Sequence, residues 1–88
     1  MEFEWDEAKR AANRIKHGFD FEDVFEIFEG SLLVTETGWP DERRLKAIGL
    51  FRGHEMAVVY TMRGETIRII SVRRARHEER GEYRSLYP

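Results

Sequence analysis

The amino-acid sequence predicts an α+β protein in which helices pack against an antiparallel sheet, and three observations support this fold class. Apolar residues recur with the helical period before Gly30 and with the strand period after it. The strand-like segments are separated by short turns that contain glycine, which favours an antiparallel arrangement. A chain of 88 residues can form one domain with one modest core. We therefore expect a single domain over residues 1–88, with two N-terminal helices, three or four antiparallel strands and a C-terminal helix.

The two N-terminal helices have recognisable ends. Asp6 and Asp20 are typical N-cap residues, because a carboxylate accepts hydrogen bonds from the free N–H groups of the first turn. Gly18 and Gly30 are typical of positions at which a helix ends. In the first helix, the apolar stripe predicted to face the core consists of Ala8, Ala11, Ala12 and Ile15. In the second helix, the stripe consists of Phe21, Val24, Phe25 and Phe28.

The rest of the chain is predicted to supply the strands and the last helix. Four segments rich in β-branched and aromatic residues are predicted as strands: 32–35, 43–51, 55–62 and 66–73. Residues 37–41 include turn-forming residues, and the segment from Arg74 to Tyr83 is predicted to be helical. Phe3 and Trp5 are interpreted as hydrophobic anchors for the N-terminal segment. The helices are expected to lie on one face of the sheet.

Charge is distributed unevenly along the chain, although the formal net charge is only −2. Residues 1–30 carry a balance of −5, residues 31–62 are neutral and residues 63–88 carry +3. Twelve of the 15 basic residues are arginine, whose planar fork of donors matches a phosphate. A basic final third on a slightly acidic protein indicates a local anion site rather than a broad surface that coats nucleic acid. The alternative is that these arginines only solvate one face and pair with glutamates.

Several classes of site are excluded or disfavoured by the residue types present. The chain has no cysteine, so disulfides, thiolate metal sites and cysteine nucleophiles are excluded, and the cytoplasm is the favoured location. The three histidines lack the spacing of a metal site, and no glycine-rich phosphate loop is present. No apolar run approaches the length of a membrane-spanning helix. We therefore expect no metal, no cofactor and no membrane partner.

The last predicted strand and its end carry a dense basic cluster. Arg73 and Arg74 lie where the strand leaves the sheet, a position suited to presenting a guanidinium to a phosphate. The alternative is that both are surface residues anchored to a glutamate of the next helix, Glu78 or Glu79. A regular strand would place Arg68 and Arg73 on opposite faces, so a bulge or twist is needed for both to reach one site.

Histidine and tyrosine residues supply further candidates. His17 lies beside Lys16 at the predicted end of the first helix, where it fits either proton transfer or a structural interaction with the helix dipole. Tyr60 is central in a predicted strand, where a hydrogen-bonded core position is the alternative to a chemical role. Tyr83 lies near the C-terminus and fits either docking of the tail or stacking on a base.

The order and spacing of motifs over nearly the whole chain resemble those of the BrnT toxin family. The residues that carry the resemblance are Phe3–Lys9, Asn13, Lys16–Gly18, Phe21, Glu42, Arg44, Ala47–Gly49, Val58–Thr61, Arg63-Gly64, Ile67–Ser71, Arg73–Ala75, Glu79-Arg80 and Tyr83. Val72 and Arg76 depart from the family pattern, in which Ala and Thr are common at these positions. Neither departure removes a charged motif residue.

The resemblance implies a toxin of a type II toxin–antitoxin system, with a compact fold similar to that of RelE-type ribonucleases. Such a toxin cleaves RNA and arrests translation, and a cognate BrnA antitoxin with a ribbon-helix-helix DNA-binding region neutralises it. DNA binding is then expected only from the toxin–antitoxin complex. The alternative functions are a non-catalytic interaction module, or a co-repressor that acts only with a DNA-binding partner.

Metal-independent RNA cleavage requires a base for the 2′-OH, an acid for the leaving oxygen and cations for the phosphate charge. His17 is the preferred proton-transfer group, with Lys16 or Tyr60 as alternatives. Arginine stays protonated, so phosphate binding and transition-state stabilisation are assigned to Arg44, Arg68, Arg73 and Arg74. Further RNA contacts are expected from Arg76, Arg80 and Tyr83.

Overall fold

The computed structural model describes residues 1–38 and 43–88, which form a five-stranded mixed sheet with three α-helices. The strands are β1 (Glu2–Glu4), β2 (Leu33–Thr37), β3 (Arg44–Phe51), β4 (His54–Arg63) and β5 (Thr66–Arg74). Their order across the sheet is β1-β5-β4-β3-β2. The predicted positions of β2 to β5 are confirmed within two residues at either end. The predicted turn at residues 37–41 lies largely outside the described residues.

The first strand was not predicted, and it makes the expectation of three or four antiparallel strands wrong. β1 runs parallel to β5, and Glu2 and Glu4 lie opposite Thr66 and Arg68. All other neighbouring strands are antiparallel. Phe3 anchors β1 as expected, because its ring packs edge-on against that of Phe28 with centroids 5.7 Å apart. A strand of three residues is too short to show a period of two in the sequence.

The helices are α1 (Glu7–His17), α2 (Val24–Phe28) and α3 (His77–Leu86), and a 3-10 turn (Phe21–Asp23) leads into α2. Both predicted caps are confirmed, since the Asp6 carboxylate accepts from the N–H of Ala8 and Lys9, and Asp20 accepts from Glu22. α3 begins three residues later than predicted, because β5 continues through Arg74. No helix in the described parts of the chain is both long and apolar enough to cross a bilayer.

The predicted apolar stripe of α1 faces solvent, which corrects the sequence interpretation. Its three alanines are exposed and Ile15 is 89% exposed. α1 instead attaches through Asn13, which is buried and pairs with the backbone of Val72 in β5. The Asn13 amide donates to the Val72 carbonyl (2.9 Å) and accepts from its N–H (3.1 Å). The helix therefore closes the edge of β5 beyond β1, where the backbone needs polar partners rather than apolar ones.

The sheet has a core on each face, so the expectation of helices on one face only is wrong. The main core lies under α2 and the 3-10 turn and includes Phe21, Ile27, Met56, Val58, Ile69 and Val72. A smaller core lies under α3 and includes Ile48, Ala57, Ala75 and Tyr83. Val58 and Ala57 illustrate how neighbouring residues of one strand supply opposite cores. In α2 the predicted stripe is also modified, since Ile27 is buried while Phe25 is largely exposed.

A β-bulge in β5 determines which arginines share a face. Val59 lies opposite Ser71 and Tyr60 lies opposite Ile69, so Ile70 is left without a partner on β4. The extra residue reverses the alternation of side chains along the strand. Ile69 and Val72 consequently contribute to the same core, and the residues on either side of Val72 turn toward α3.

Candidate active site: a basic face beside α3

Four basic residues of β3 and β5 project on the side that α3 occupies. The bulge places Arg68 and Arg73 on this side, opposite Thr61 and Ala57 of β4. Arg44 and Lys46 alternate with the residues of β3 that face the main core and lie on the same side. α3 covers only part of this surface, above its own small core. The surface formed by Arg44, Lys46, Arg68 and Arg73 is called the basic face below.

A buried carboxylate of α3 joins two of these cations. Glu79, which is 7% exposed, accepts from Arg73 through both carboxylate oxygens at 2.7 and 2.9 Å. The ammonium of Lys46 lies 2.9 Å from Glu79 Oε2, and the N–H of Arg76 donates to Oε1 at 2.7 Å. These contacts, with Arg73 as the largest cause, hold the pKa of Glu79 far below its usual range. Glu79 is therefore ionised at neutral pH.

The other two cations of the basic face lie toward β1 and β2. Arg68 is half-buried, and its Nη1 lies 3.4 Å from the Glu4 carboxylate in β1. Arg44 is half-buried at the end of β3 beside Thr37, whose hydroxyl donates to the Arg44 carbonyl at 3.3 Å. The ion pair with Glu4 thus holds the Arg68 guanidinium at the sheet.

The end of α1 borders the basic face. Lys16 and His17 line a shallow pocket of about 300 Å³ together with Ile70 and Ser71 at the bulge. Burial, followed by the positive charges of Lys16 and Arg73, lowers the pKa of His17 below its ordinary value of 6.5. The imidazole is therefore largely neutral at pH 7, and a neutral imidazole can accept a proton.

The first turn of α3 lies on the other side of Lys46. Arg76 and His77 are exposed and line a pocket of about 400 Å³ with Lys46 and Glu79. Arg80 points back toward the sheet, because its Nη1 donates to the Ala75 carbonyl at 2.7 Å. Arg76 is thus the predicted RNA-contact residue that lies nearest to the basic face, while Arg80 braces the start of α3.

Three of the predicted site residues lie elsewhere. Tyr60 is 6% exposed in the main core, its ring packs against Phe28, and burial raises the pKa of its hydroxyl. Tyr83 is buried under α3 and donates to the Ser31 carbonyl at 2.9 Å, which leaves no room for a base. Arg74 is exposed opposite Met56 and belongs to the other side of the sheet. Arg74 follows Arg73 on β5, and Tyr60 lies between Val59 and Thr61 on β4, so strand alternation turns both side chains away from the basic face.

The structure adds residues that the sequence interpretation did not select. Lys46 is spaced two residues from Arg44 on a predicted strand, and this spacing was a usable signal that both share a face. His77 and Ser71 carried no such signal, since their positions depend on where α3 starts and where β5 bulges. The pairing of Arg73 with Glu79 matches the structural alternative drawn from the sequence. Within residues 1–38 and 43–88, no three His, Asp or Glu side chains cluster as metal ligands.

Cationic side chains on one face of a sheet, bordered by histidines, are typical of a site that binds the phosphates of a nucleic acid. The sequence comparison agrees: residues 5–79 match the model of the family described as ribonuclease toxin BrnT of type II toxin–antitoxin systems. The chain belongs to this BrnT family, whose members are ribonuclease toxins and are paired with an antitoxin. A search of curated protein sequences gives no significant match. Glu42, one of the motif residues, lies outside the described residues.

Proposed function

We propose that this toxin cleaves RNA at the basic face without a metal ion, using the 2′-OH of the RNA as the nucleophile. The 2′-oxygen attacks the adjacent phosphorus, the bond to the 5′-oxygen breaks, and the products carry a 2′,3′-cyclic phosphate and a 5′-OH. The observation that carries the proposal is the position of His17, with its lowered pKa, beside a face that holds Arg73 and Lys46. These are the base and the cations that such a reaction needs.

His17 is assigned the role of general base. Its neutral imidazole takes the proton of the attacking 2′-OH, and Lys16 beside it attracts the phosphate backbone. Proton transfer of this kind contributes typically about 10²- to 10⁴-fold to a rate. The general acid for the leaving 5′-oxygen is assigned to the α3 side, where His77 lies exposed in the pocket beside Lys46. Tyr60 is not used, since it lies in the main core.

The basic face is assigned the stabilisation of the transition state. Two negative charges accumulate on the non-bridging oxygens as the phosphorus becomes five-coordinate, and fixed cations favour that state over the ground state. Arg73 and Lys46 both contact the carboxylate of Glu79, which holds the two cations side by side. Arg68 and Arg44 extend the cationic surface along the sheet. Arg76 is assigned a contact with a neighbouring phosphate.

The biological consequence follows from the family. RNA cleavage in the cytoplasm arrests translation, so the cell must silence the toxin with its antitoxin. We assign as partner a BrnA-like antitoxin with a ribbon-helix-helix region, which also supplies DNA binding to the complex. Its contact surface is the basic part of the chain in residues 63–84, because covering that part blocks access of RNA.

Cleavage of a defined RNA by the purified protein, with and without EDTA, tests the proposal. We expect cleavage to survive EDTA, the products to carry cyclic phosphate ends, and a 2′-deoxy nucleotide at the cut site to block the reaction. His17→Ala is expected to lower kcat by about 10²-fold or more. His54→Ala is the matched control, since His54 is exposed at the start of β4 and lines neither pocket. Complete loss of cleavage in EDTA that Mg²⁺ restores would contradict metal independence.

Extensive ion pairing supports a second candidate, a protein-interaction module that cuts no RNA. The described surface carries Arg10 with Asp20, Arg84 with Glu55, and Arg52 with Glu26, in addition to the pairs of the basic face. Such pairing reduces the positive potential available to RNA. The same assay separates the two functions, because an interaction module would bind the antitoxin but leave every RNA substrate intact.

A further inference from the structure

The hydrogen bonds of Arg73 leave one edge of its guanidinium unused. The group has five N–H donors. Nη1 donates to Glu79 Oε1 and to the carbonyl of Arg74, and Nη2 donates to Glu79 Oε2. Nowhere in the described parts of the chain does Nε or the second N–H of Nη2 meet an acceptor. These two N–H groups point in parallel from the same edge of the planar group, the arrangement that binds two phosphate oxygens.

Two other arginines in the described residues, Arg10 and Arg84, fork a carboxylate in the opposite arrangement. Arg10 uses Nε and Nη2 to hold Asp20, at 2.8 and 3.1 Å. Arg84 uses the same two nitrogens to hold Glu55, at 2.5 and 2.8 Å. In both pairs the carboxylate occupies the Nε edge of the guanidinium. Arg73 binds its carboxylate through the two terminal nitrogens instead, so its Nε edge remains available to another anion.

Lys46, like Arg73, is held by Glu79 and has N–H donors left over. Its ammonium contacts Glu79 Oε2 at 2.9 Å, the oxygen that also accepts from Arg73 Nη2. An ammonium has three N–H donors, so this contact leaves two. The side chain of Glu79 is 9% exposed, against 15% for Arg73 and 25% for Lys46. No buried side-chain nitrogen or oxygen in the described residues lacks a hydrogen-bond partner. The unpartnered Nε of Arg73 is therefore accessible to solvent, and so to a phosphate.

We propose that Glu79 is a positioning residue, which orients Arg73 and Lys46 so that both bind one phosphate of the RNA substrate. This inference rests on the proposed function, because the phosphate is that of the RNA to be cut. Long cationic side chains lose rotamer freedom when they bind, and a buried carboxylate that already holds them removes much of that cost at the transition state. The same carboxylate offsets part of their positive charge, so it does not strengthen binding of the ground state.

Steady-state cleavage of a short RNA by Glu79→Gln and Glu55→Gln tests this role. Each variant removes one of the two arginine–carboxylate forks that join α3 to the sheet, but only Glu79 contacts the basic face. We expect Glu79→Gln to lower kcat by about 10- to 100-fold, because misplacement of a positioning contact costs up to about 10²-fold. Its KM should stay equal or fall, because charge on the cations is released. Glu55→Gln should change kcat and KM less than about twofold. A wild-type kcat in Glu79→Gln, or an equal loss in both variants, overturns the proposal.

A second variant and a second measurement keep the inference testable. If circular dichroism shows Glu79→Gln to be unfolded, Glu79→Asp replaces it, since Asp keeps the charge but is one methylene shorter. A folded Asp variant with reduced kcat and unchanged KM supports positioning, and one with wild-type kcat overturns it. Titration of inorganic phosphate into ¹⁵N-labelled protein should shift the Arg73 Nε–H resonance in the wild type but not in the variant. Absence of a shift in the wild type overturns the positioning role, whereas absence of RNA cleavage alone overturns only the proposed function.

Discussion

At the scale of single residues, Asn13 and Ile15 reverse the roles that their side chains suggest. Asn13 satisfies both polar backbone groups of Val72 and also donates to the carbonyl of Phe19 at 3.0 Å. Ile15, two residues away on α1, is 89% exposed. The polar residue is the one that holds the helix, because the surface beneath it is a strand edge with unpaired N–H and C=O groups.

This reversal gives a stability prediction. Asn13→Ala leaves the N–H and C=O of Val72 without partners, and each buried unpaired group costs about 1–3 kcal/mol, so the free energy of unfolding should fall by about 2–6 kcal/mol. Ile15→Ala removes an exposed side chain from the same helix and should change it by less than about 0.5 kcal/mol. Urea unfolding of both variants measures the difference. A larger loss for Ile15→Ala than for Asn13→Ala would contradict the assignment.

The sequence could predict the residues whose roles are set by close neighbours. Asp6 and Asp20 cap helices through N–H groups two or three residues away, and such short-range chemistry is visible in the sequence. The role of Asn13 was not visible, because its partner Val72 is 59 residues away in the chain. Arg68, Arg73 and His17 were chosen as candidates on charge and residue type, and their functional role stays a prediction. The shared face of Arg68 and Arg73 depends on the bulge at Ile70.

At the scale of elements, α3 is joined to the sheet by a charge cluster around Glu79. The pKa of this carboxylate is lowered in the folded protein, so the cluster contributes stability above the pKa of an unfolded glutamate, which is about 4.3. As the pH falls below this value, the unfolded chain takes up the proton while the folded protein does not. The contribution of Glu79 to stability is therefore lost progressively in acid.

Because the pKa of Glu79 is lowered on folding, the stability of the protein should depend on pH in a predictable direction. The free energy of unfolding of Glu79→Gln should decline less steeply between pH 5.5 and about 3 than that of the wild type, because the variant lacks this proton uptake. Glu82→Gln, which changes an exposed glutamate of the same helix, should keep the wild-type slope. Denaturant unfolding at several pH values makes the comparison. Parallel curves for wild type and Glu79→Gln would show that the cluster does not contribute in this way.

The elements also mark the limit of what periodicity can predict. β2 to β5 were located because each has enough residues for alternation or β-branched composition to be visible. β1 has three residues, too few to show a period of two. The second helix was located from its apolar spacing, but it begins as a 3-10 turn, and Ile27 rather than Phe25 is buried. The bulge at Ile70 shifted the alternation within β5, and nothing in the local sequence distinguishes that residue from its apolar neighbours.

At the scale of the whole molecule, the net charge of −2 conceals an acidic N-terminal part and a basic C-terminal part of the chain. Acidic residues predominate in the first 30 residues, and the basic face is built largely from β3 and β5. Such a balance favours a local anion site over a broad positive surface for duplex DNA. We therefore expect the proposed antitoxin to supply the DNA-reading element.

A gel shift with operator DNA tests whether DNA recognition belongs to the antitoxin rather than to the toxin. We expect no sequence-specific shift with the toxin alone and a sequence-specific shift with the toxin–antitoxin complex. Acidic residues of the antitoxin are expected to pair with the arginine forks, and such rim charges mainly steer association and set specificity. Arg76→Ala, which changes an exposed residue beside the basic face, should therefore slow association with the antitoxin and weaken its dependence on salt. Specific binding of the operator by the toxin alone would overturn the assignment.

The parallel pair of β1 and β5 also bears on the order in which the chain folds. It joins Glu2 to Thr66, 64 residues apart, whereas β3, β4 and β5 are joined by tight turns. Closing a long loop costs more entropy than closing a hairpin, and contacts between distant residues form slowly. We therefore expect the meander of β3, β4 and β5 to form first and β1 to pair with its edge afterwards. In that order Arg68 meets Glu4 only in the last step, so the cationic surface would form before its acidic neighbour is in place.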